Sequence, residues 1–244
     1  MLTIDFCLPA HNEEKILAQN LERLLAYLRS QNLPYAWQAI VILNGSIDNT
    51  LLIANKFAET NSELKVYNIK EAIKGKGNAL KKYFSESSAD IIAYMDVDLA
   101  TDLKFINNLI APLINKEADL VIGSRLLKAS KTDRSLIREF ISQIYSLLAR
   151  TLLKSSIKDF QCGFKALTRE TWRALMPLIS DSLWSLDTEL IVLAEKQGYR
   201  VKEIPIEWQD GRFVKRPSRI NLLKASLELW TKVFELRRRL KKFQ

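Results

Sequence analysis

Apolar runs broken at regular intervals by polar residues set out the organisation of this chain. Strand-like runs fall at residues 3–9, 36–43, 64–69, 90–95 and 119–123. Between them the apolar positions take helical spacing, over residues 13–31, 48–61, 75–87 and 102–116. The first helix is the clearest, with Ile16, Leu17, Leu21, Leu24, Leu25 and Leu28 recurring on one face. Strand and helix in alternation predict an α/β domain, a mostly parallel sheet flanked by helices. Ligands of such sheets sit beyond the carboxyl ends of the strands. That singles out the loops at 9–14, 44–49, 73–78 and 96–102. Past residue 124 the alternation gives way to an amphipathic helix at 134–153, helices at 170–179 and 187–197, and a strand at 200–207. With no internal repeat and no linker, the pattern predicts one domain over 1–217 and a basic amphipathic helix over 218–244.

Composition narrows the class. At 244 residues, 48% hydrophobic and 27% charged, the chain can bury a sizeable core, which excludes a disordered tail or a disulfide-stapled miniprotein. Cys7 and Cys162 fit a reducing compartment better than an oxidising one. No run reaches the ~18 apolar residues of a membrane span, and no signal-peptide pattern accompanies the first strand. The expected location is cytoplasmic, peripheral on the cytosolic face of a membrane.

Charge changes the picture further. The formal net charge is +9, yet from Gln209 onward eleven basic residues face three acidic ones, a net of +8. The first 208 residues hold 26 basic and 25 acidic groups. The basicity is therefore a property of the tail, and no nucleic-acid partner is expected. In the tail Leu223, Leu227, Trp230 and Phe234 follow 4-3-4 spacing, with Leu240 further along. A basic helix of this kind suits an anionic membrane surface; alternatively its stripe packs on the domain and leaves a solvated basic face. The helix at 134–153, with Ile137, Phe140, Ile141, Ile144, Leu147 and Leu148, either packs in the core or offers a second apolar surface, for a prenyl chain.

The loops carry the candidate chemistry. Asp96-Val97-Asp98 follows a hydrophobic strand, and two carboxylates there can turn toward one hard cation, Mg²⁺ or Mn²⁺. Lys74-Gly75-Lys76-Gly77-Asn78 opens a helix, where glycines let backbone N–H groups approach a diphosphate. The sequence holds neither a Walker motif nor a G-x-G-x-x-G fingerprint after its first strand. His11 is the only histidine, so general-base chemistry, where required, falls to a carboxylate.

Taken in order, Cys7–Glu14, Ile42–Thr50, Gly75–Leu80, Asp96–Leu99, Gly123-Ser124-Arg125, Asp159–Lys165, Leu186–Leu190 and Ile204–Trp208 resemble family-2 glycosyltransferases of the GT-A fold, over about residues 3–225. Gln161-Cys162-Gly163-Phe164-Lys165 is similar to the subgroup that makes polyprenyl (dolichyl) phosphate glucose, more than to the mannose-transferring branch. The resemblance implies a UDP- or GDP-linked sugar donor, with Pro9, Ala10 and Glu13 lining base and ribose and Asn44 and Asp48 contacting the nucleoside. It places Lys76 near the nucleotide, Asp96 on the sugar or ribose side, and Asp98 on the metal that bridges the diphosphate. Arg125, with Arg134 or Arg138, would meet the phosphate of a polyprenyl phosphate acceptor, and Arg219 in a basic loop would contact the diphosphate. The chemistry implied is inverting displacement at the anomeric carbon. A lipid phosphate needs no general base, whereas a hydroxyl acceptor would call on Asp187 or Glu189, whose other reading is helix N-terminal capping. The family's acidic pair in the nucleoside loop is Leu43-Asn44 here, and an Asn carbonyl accepts hydrogen bonds without adding charge. A further reading keeps the fold as an inactive module that binds membrane through its tail.

Overall fold

The structure is a computed structural model that describes residues 1–70, 75–133, 135–180, 185–209 and 222–241; the side chains of residues 136, 138 and 222–229 lie outside that description. Its elements are β1 (Thr3–Ala10), α1 (Leu17–Ser30), β2 (Ala36–Asn44), α2 (Thr50–Thr60), β3 (Leu64–Ile69), α3 (Lys76–Glu86), β4 (Ile91–Met95) and α4 (Ile106–Ile114). They continue with β5 (Leu120–Ser124), β6 (Lys131–Asp133), α5 (Leu136–Leu153), β7 (Phe164–Thr168), α6 (Arg169–Leu175), α7 (Leu186–Lys196), β8 (Val201–Pro205), β9 (Glu207–Gln209) and α8 (Leu222–Leu240).

Seven strands form one sheet in the order β3-β2-β1-β4-β7-β5-β8. All its pairings are parallel except those of β7, which runs antiparallel to β4 and β5 and separates them. The sequence pattern does not predict β7. Its five residues, Phe-Lys-Ala-Leu-Thr, place a wholly buried Lys165 where a central strand would carry an apolar residue. The strand expected at 200–207 divides at Ile206, where the chain leaves the large sheet to pair β9 with β6.

Alternate strand positions feed two cores. Phe6, Leu8, Val41, Leu43, Ala93 and Met95 face α1 and α4, and the α1 leucines 17, 21, 24, 25 and 28 are all buried there. Burying each of these side chains contributes about 1.5–3 kcal/mol. Cys7, Ile40, Ile42, Ile92 and Tyr94 face the other way, toward α3, α6 and α7. Val233 and Leu236 of α8 are buried in this second core, and α8 packs against α5. The packed face of α8 thus runs through Val233, Leu236 and Leu240, while Phe234, expected on the apolar stripe, is 53% exposed.

Candidate active site

The carboxyl ends of β1, β2 and β4, the start of α3 and the turn before β7 meet at one edge of the sheet. Asn12, which follows β1, adopts φ 55°, a left-handed conformation that Asn tolerates because its short amide can bond locally. Its side chain accepts from Ile47 N–H at 2.8 Å, and its own N–H donates to Ser46 Oγ at 3.1 Å. His11 Nδ1 lies 2.8 Å from the carbonyl of Asn44 and therefore carries the proton. Glu13 N–H donates to Thr50 Oγ1 at 2.8 Å.

Asp48 closes the same junction. Its carboxylate accepts from Glu14 N–H at 3.3 Å, from Thr50 N–H at 3.0 Å and from the Thr50 hydroxyl. Partial burial pushes its pKa up, but these hydrogen bonds prevail and hold it below the ordinary carboxylate value. The geometry gives Asp48 the part of a clasp between the first two loops. Asn44 donates from Nδ2 to the carbonyl of Gly75 at 3.3 Å, a bond that an aspartate could not make. That accounts for an amide at this position. Gly75 itself sits at φ 90°, where a side chain would be strained, and opens α3.

Lys76, first residue of α3, forms an ion pair with Asp96 at the end of β4. The Asp96-Val97-Asp98-Leu99 turn closes through Leu99 N–H to Asp96 O at 3.0 Å, with Leu99 at φ 51° and its side chain buried. A left-handed leucine costs about 1–3 kcal/mol and persists only where its surroundings impose it. Asn20, buried in the apolar face of α1, donates to Val97 O at 2.9 Å and holds the turn from below. Asp98 Oδ1 accepts from Ala100 N–H at 3.2 Å.

Gly163 completes the support of Asp96. A Cβ there would stand 2.2 Å from Asp96 Oδ2 and 2.5 Å from Cγ, so the carboxylate rests on the bare glycine backbone. Two residues on, the buried Lys165 ammonium donates to Cys162 O and, at 2.8 Å, to Asp187 Oδ1. Tyr94 donates to the same oxygen at 2.5 Å. Burial raises the pKa of Asp187, yet the charges of Lys165 and Lys76 outweigh it and bring it below the usual range. Burial pushes the Cys162 thiol up to about 12, which removes it as a nucleophile at neutral pH.

Arg125 is tightly held within the protein. Its Nε and one terminal nitrogen bind Asp159 in a bidentate pair at 2.7 and 2.9 Å, its backbone N–H adds a third bond at 2.9 Å, and its side chain is only 14% exposed. The guanidinium also lies 5.7 Å from the ring centre of Trp208. Burial disfavours the Asp159 carboxylate, but the adjacent Arg125 charge overrides it and lowers its pKa to about 2. Arg125, expected at the acceptor phosphate, is held here by Asp159, which presents two buried oxygens to its fork. Arg134 and Arg219 lie outside the described residues, as does the side chain of Arg138.

Pro9, Ala10, Glu13, Asn44, Asp48, Lys76, Asp96 and Asp98 are therefore brought to one edge through a chain of contacts between neighbouring loops. Of the supporting residues, Asp159, Gly163 and Lys165 lie in the stretch that carries the resemblance, while Asn20 and Tyr94 show only as polar groups inside apolar runs. Among the described residues no group of three or more His, Cys, Asp and Glu converges to hold a metal. Asp96 and Asp98 fit a hard cation that draws its remaining oxygen ligands from a bound diphosphate and water.

The sequence model described as Glycosyl transferase family 2 matches residues 5–175. Glycosyltransferase AglD of Haloferax volcanii is 34% identical over 206 residues, covering 84% of this chain and 33% of the relative. A dolichyl-phosphate beta-glucosyltransferase of Trichomonas vaginalis is 35% identical over 215 residues, covering 84% of this chain and 63% of the relative. The chain thus spans about a third of the first relative and less than two thirds of the second. Among solved structures, glucosyl-3-phosphoglycerate synthase of Mycobacterium tuberculosis, in complex with Mn²⁺, UDP and phosphoglyceric acid, superposes with a TM-score of 0.71 at 18% identity, over 97% of this chain and 78% of that one. Mannosyl-3-phosphoglycerate synthase of Rubrobacter xylanophilus does so at 0.73 and 17% identity, over 100% and 76%. These superpositions establish the α/β fold as GT-A.

Proposed function

Since this chain belongs to glycosyl transferase family 2, we propose that it transfers a hexose, from a UDP-glucose type of donor, to a polyprenyl phosphate with inversion at the anomeric carbon. The donor reading is supported by the loop constellation at the sheet edge and by the UDP and Mn²⁺ held in the superposed mycobacterial synthase. Asp98 would hold Mn²⁺ or Mg²⁺, which when bound neutralises the departing diphosphate. Asp96, steadied by Lys76 and Gly163, would orient the sugar or ribose.

One observation carries the acceptor reading: the two carboxylates that the sequence offers as bases for a hydroxyl, Asp187 and Glu189, are already committed. Asp187 is bound by Lys165 and Tyr94. Glu189, 4% exposed, accepts from Ser180 N–H at 2.9 Å and from Arg239 at 2.6 Å. Asp187, held below the usual carboxylate range beside the buried Lys165, is a poor base. A phosphate acceptor arrives ionised and asks for none. The dolichyl phosphate in the name of the Trichomonas relative agrees with this choice. The enzyme would then work at an anionic membrane surface on its cytosolic side, although no helix among the described residues is long and apolar enough to cross a membrane.

The test is radiolabelled transfer from UDP-glucose and GDP-mannose, with Mn²⁺, to polyprenyl phosphate, polyprenol and phosphoglycerate in parallel. Product is expected from UDP-glucose and polyprenyl phosphate, and Asp98→Ala should lower turnover by about 10²–10³. Transfer to polyprenol or phosphoglycerate instead would overturn the acceptor, and full turnover by Asp98→Ala would overturn the site.

A further inference from the structure

Four large apolar side chains of α5 stand in solvent: Ile137 at 69% exposure, Phe140 at 64%, Ile144 at 37% and Leu147 at 64%. Their 3-4-3 spacing puts them on one face of the helix. The opposite face is committed to the core, through Tyr145, Ala149 and Leu153. Single exposed apolar residues are ordinary, whereas a row of four on one helix is a surface made for contact. Helix α8 packs on α5 and has an exposed side of its own. Phe234 is exposed, and Arg237, Arg238 and Lys241 follow it at i+3, i+4 and i+7, all exposed on the same side.

We propose that the exposed α5 row and the exposed side of the neighbouring α8, Phe234 with the Arg237, Arg238 and Lys241 rim, together form one face that docks the protein on an anionic lipid bilayer. An apolar row beside a band of cations is the pattern that seats aliphatic and aromatic side chains at the acyl boundary and holds lipid headgroups. The rim favours a bilayer over a second copy of the chain, because two copies meeting through this face would oppose their cations. The tail helix gives Val233 and Leu236 to the core, and of the stripe read from the sequence it presents Phe234 to solvent beside this charge.

Docking of this face would bear directly on the catalytic edge. Tyr145 of α5 shares a hydrogen bond of 2.8 Å with Thr188, which also accepts from Gln161 Nε2 at 2.8 Å, two residues before the Gly163 that supports Asp96. Arg239 of α8 grips Glu189 in the next position of α7. Both lipid-facing helices are therefore bonded to the first turn of α7, so the face and the site form one body. This deepens the lipid-acceptor reading by naming the surface that meets lipid.

The test is co-sedimentation of the full chain with acceptor-free vesicles, phosphatidylcholine alone against phosphatidylcholine mixed with phosphatidylglycerol, so that a wrong acceptor cannot affect it. Binding is expected to the anionic vesicles and to weaken as salt rises. Phe140→Ser with Leu147→Ser should weaken it at least about tenfold, and Arg237→Glu with Arg238→Glu by a similar factor. Both variants should keep the thermal shift given by UDP with Mn²⁺, which reports an intact fold and nucleotide site. No binding by the parent chain, undiminished binding by the variants, or a dimer in sedimentation that Phe140→Ser with Leu147→Ser dissociates without vesicle binding would each overturn the proposal.

Discussion

At Gly163 one added carbon would stand closer to the Asp96 carboxylate than non-bonded atoms allow. Gly163→Ala is therefore expected to drive Asp96 off its seat and away from Lys76 while leaving β7 in place. A displacement of about 1 Å at a positioning group costs up to about 100-fold in turnover. Steady-state kinetics with UDP-glucose should show that loss while the melting temperature moves little. Unchanged kinetics would mean that the Asp96 position is irrelevant. The same residue marks a limit of sequence reading. Asp96 and Asp98 are visible because the pair follows an apolar strand in an α/β pattern, where ligands gather beyond the strand ends. The glycine beneath them, 67 positions on, gives no local sign of what it touches. Arg125 was legible as a charge near the site, but its partner was not, since Asp159 reaches it only once β5 and the turn before β7 are neighbours.

Among elements, those with strong periodicity emerged from the sequence: β2, expected over 36–43, is found over Ala36–Asn44, and α1, expected over 13–31, starts four residues later, at Leu17. The elements that did not are the ones whose residues answer to tertiary demands. β7 carries a lysine because Asp187 and the Cys162 carbonyl lie next to it. α8 shows two apolar stripes, and spacing alone cannot say which one faces the body. Its attachment can be probed at Arg239. Glu189 has a side chain only 5% exposed, and removing its cation leaves a nearly buried charge. Arg239→Ala should lower stability by about 2 kcal/mol and expose the tail to limited proteolysis ahead of the rest of the chain. Equal stability and equal proteolysis would show that the pair holds nothing.

For the molecule as a whole, the depressed carboxylates set how it meets acid. Asp159, held at about 2 in the folded state, has an unfolded value near 3.9. Its folded pKa is the lower, so the stabilisation is complete above about pH 5 and is lost as pH falls through 4 toward 2. The difference corresponds to about 2–3 kcal/mol at neutral pH. Asp48, Asp90, Asp119 and Asp187 are shifted the same way. Urea unfolding followed between pH 7 and 3 should show stability falling steadily on the acid side. Asp159→Asn should be less stable at pH 7 and flatter across that window, and a parallel decline in both proteins would contradict the assignment.

The reversed strand β7 also governs how the chain can assemble. β1, β2, β3 and β4 pair directly with one another and are all present once residue 95 has been made. β5 follows soon after in sequence, yet it reaches the sheet only through β7, and β8 only through β5. On a ribosome the first four strands can close early, while β5 must wait for residues 164–168 to slot between it and β4. During that interval β4 presents an unpaired edge to the cell, and that edge is where a nascent chain of this kind is most open to misassembly or to a chaperone.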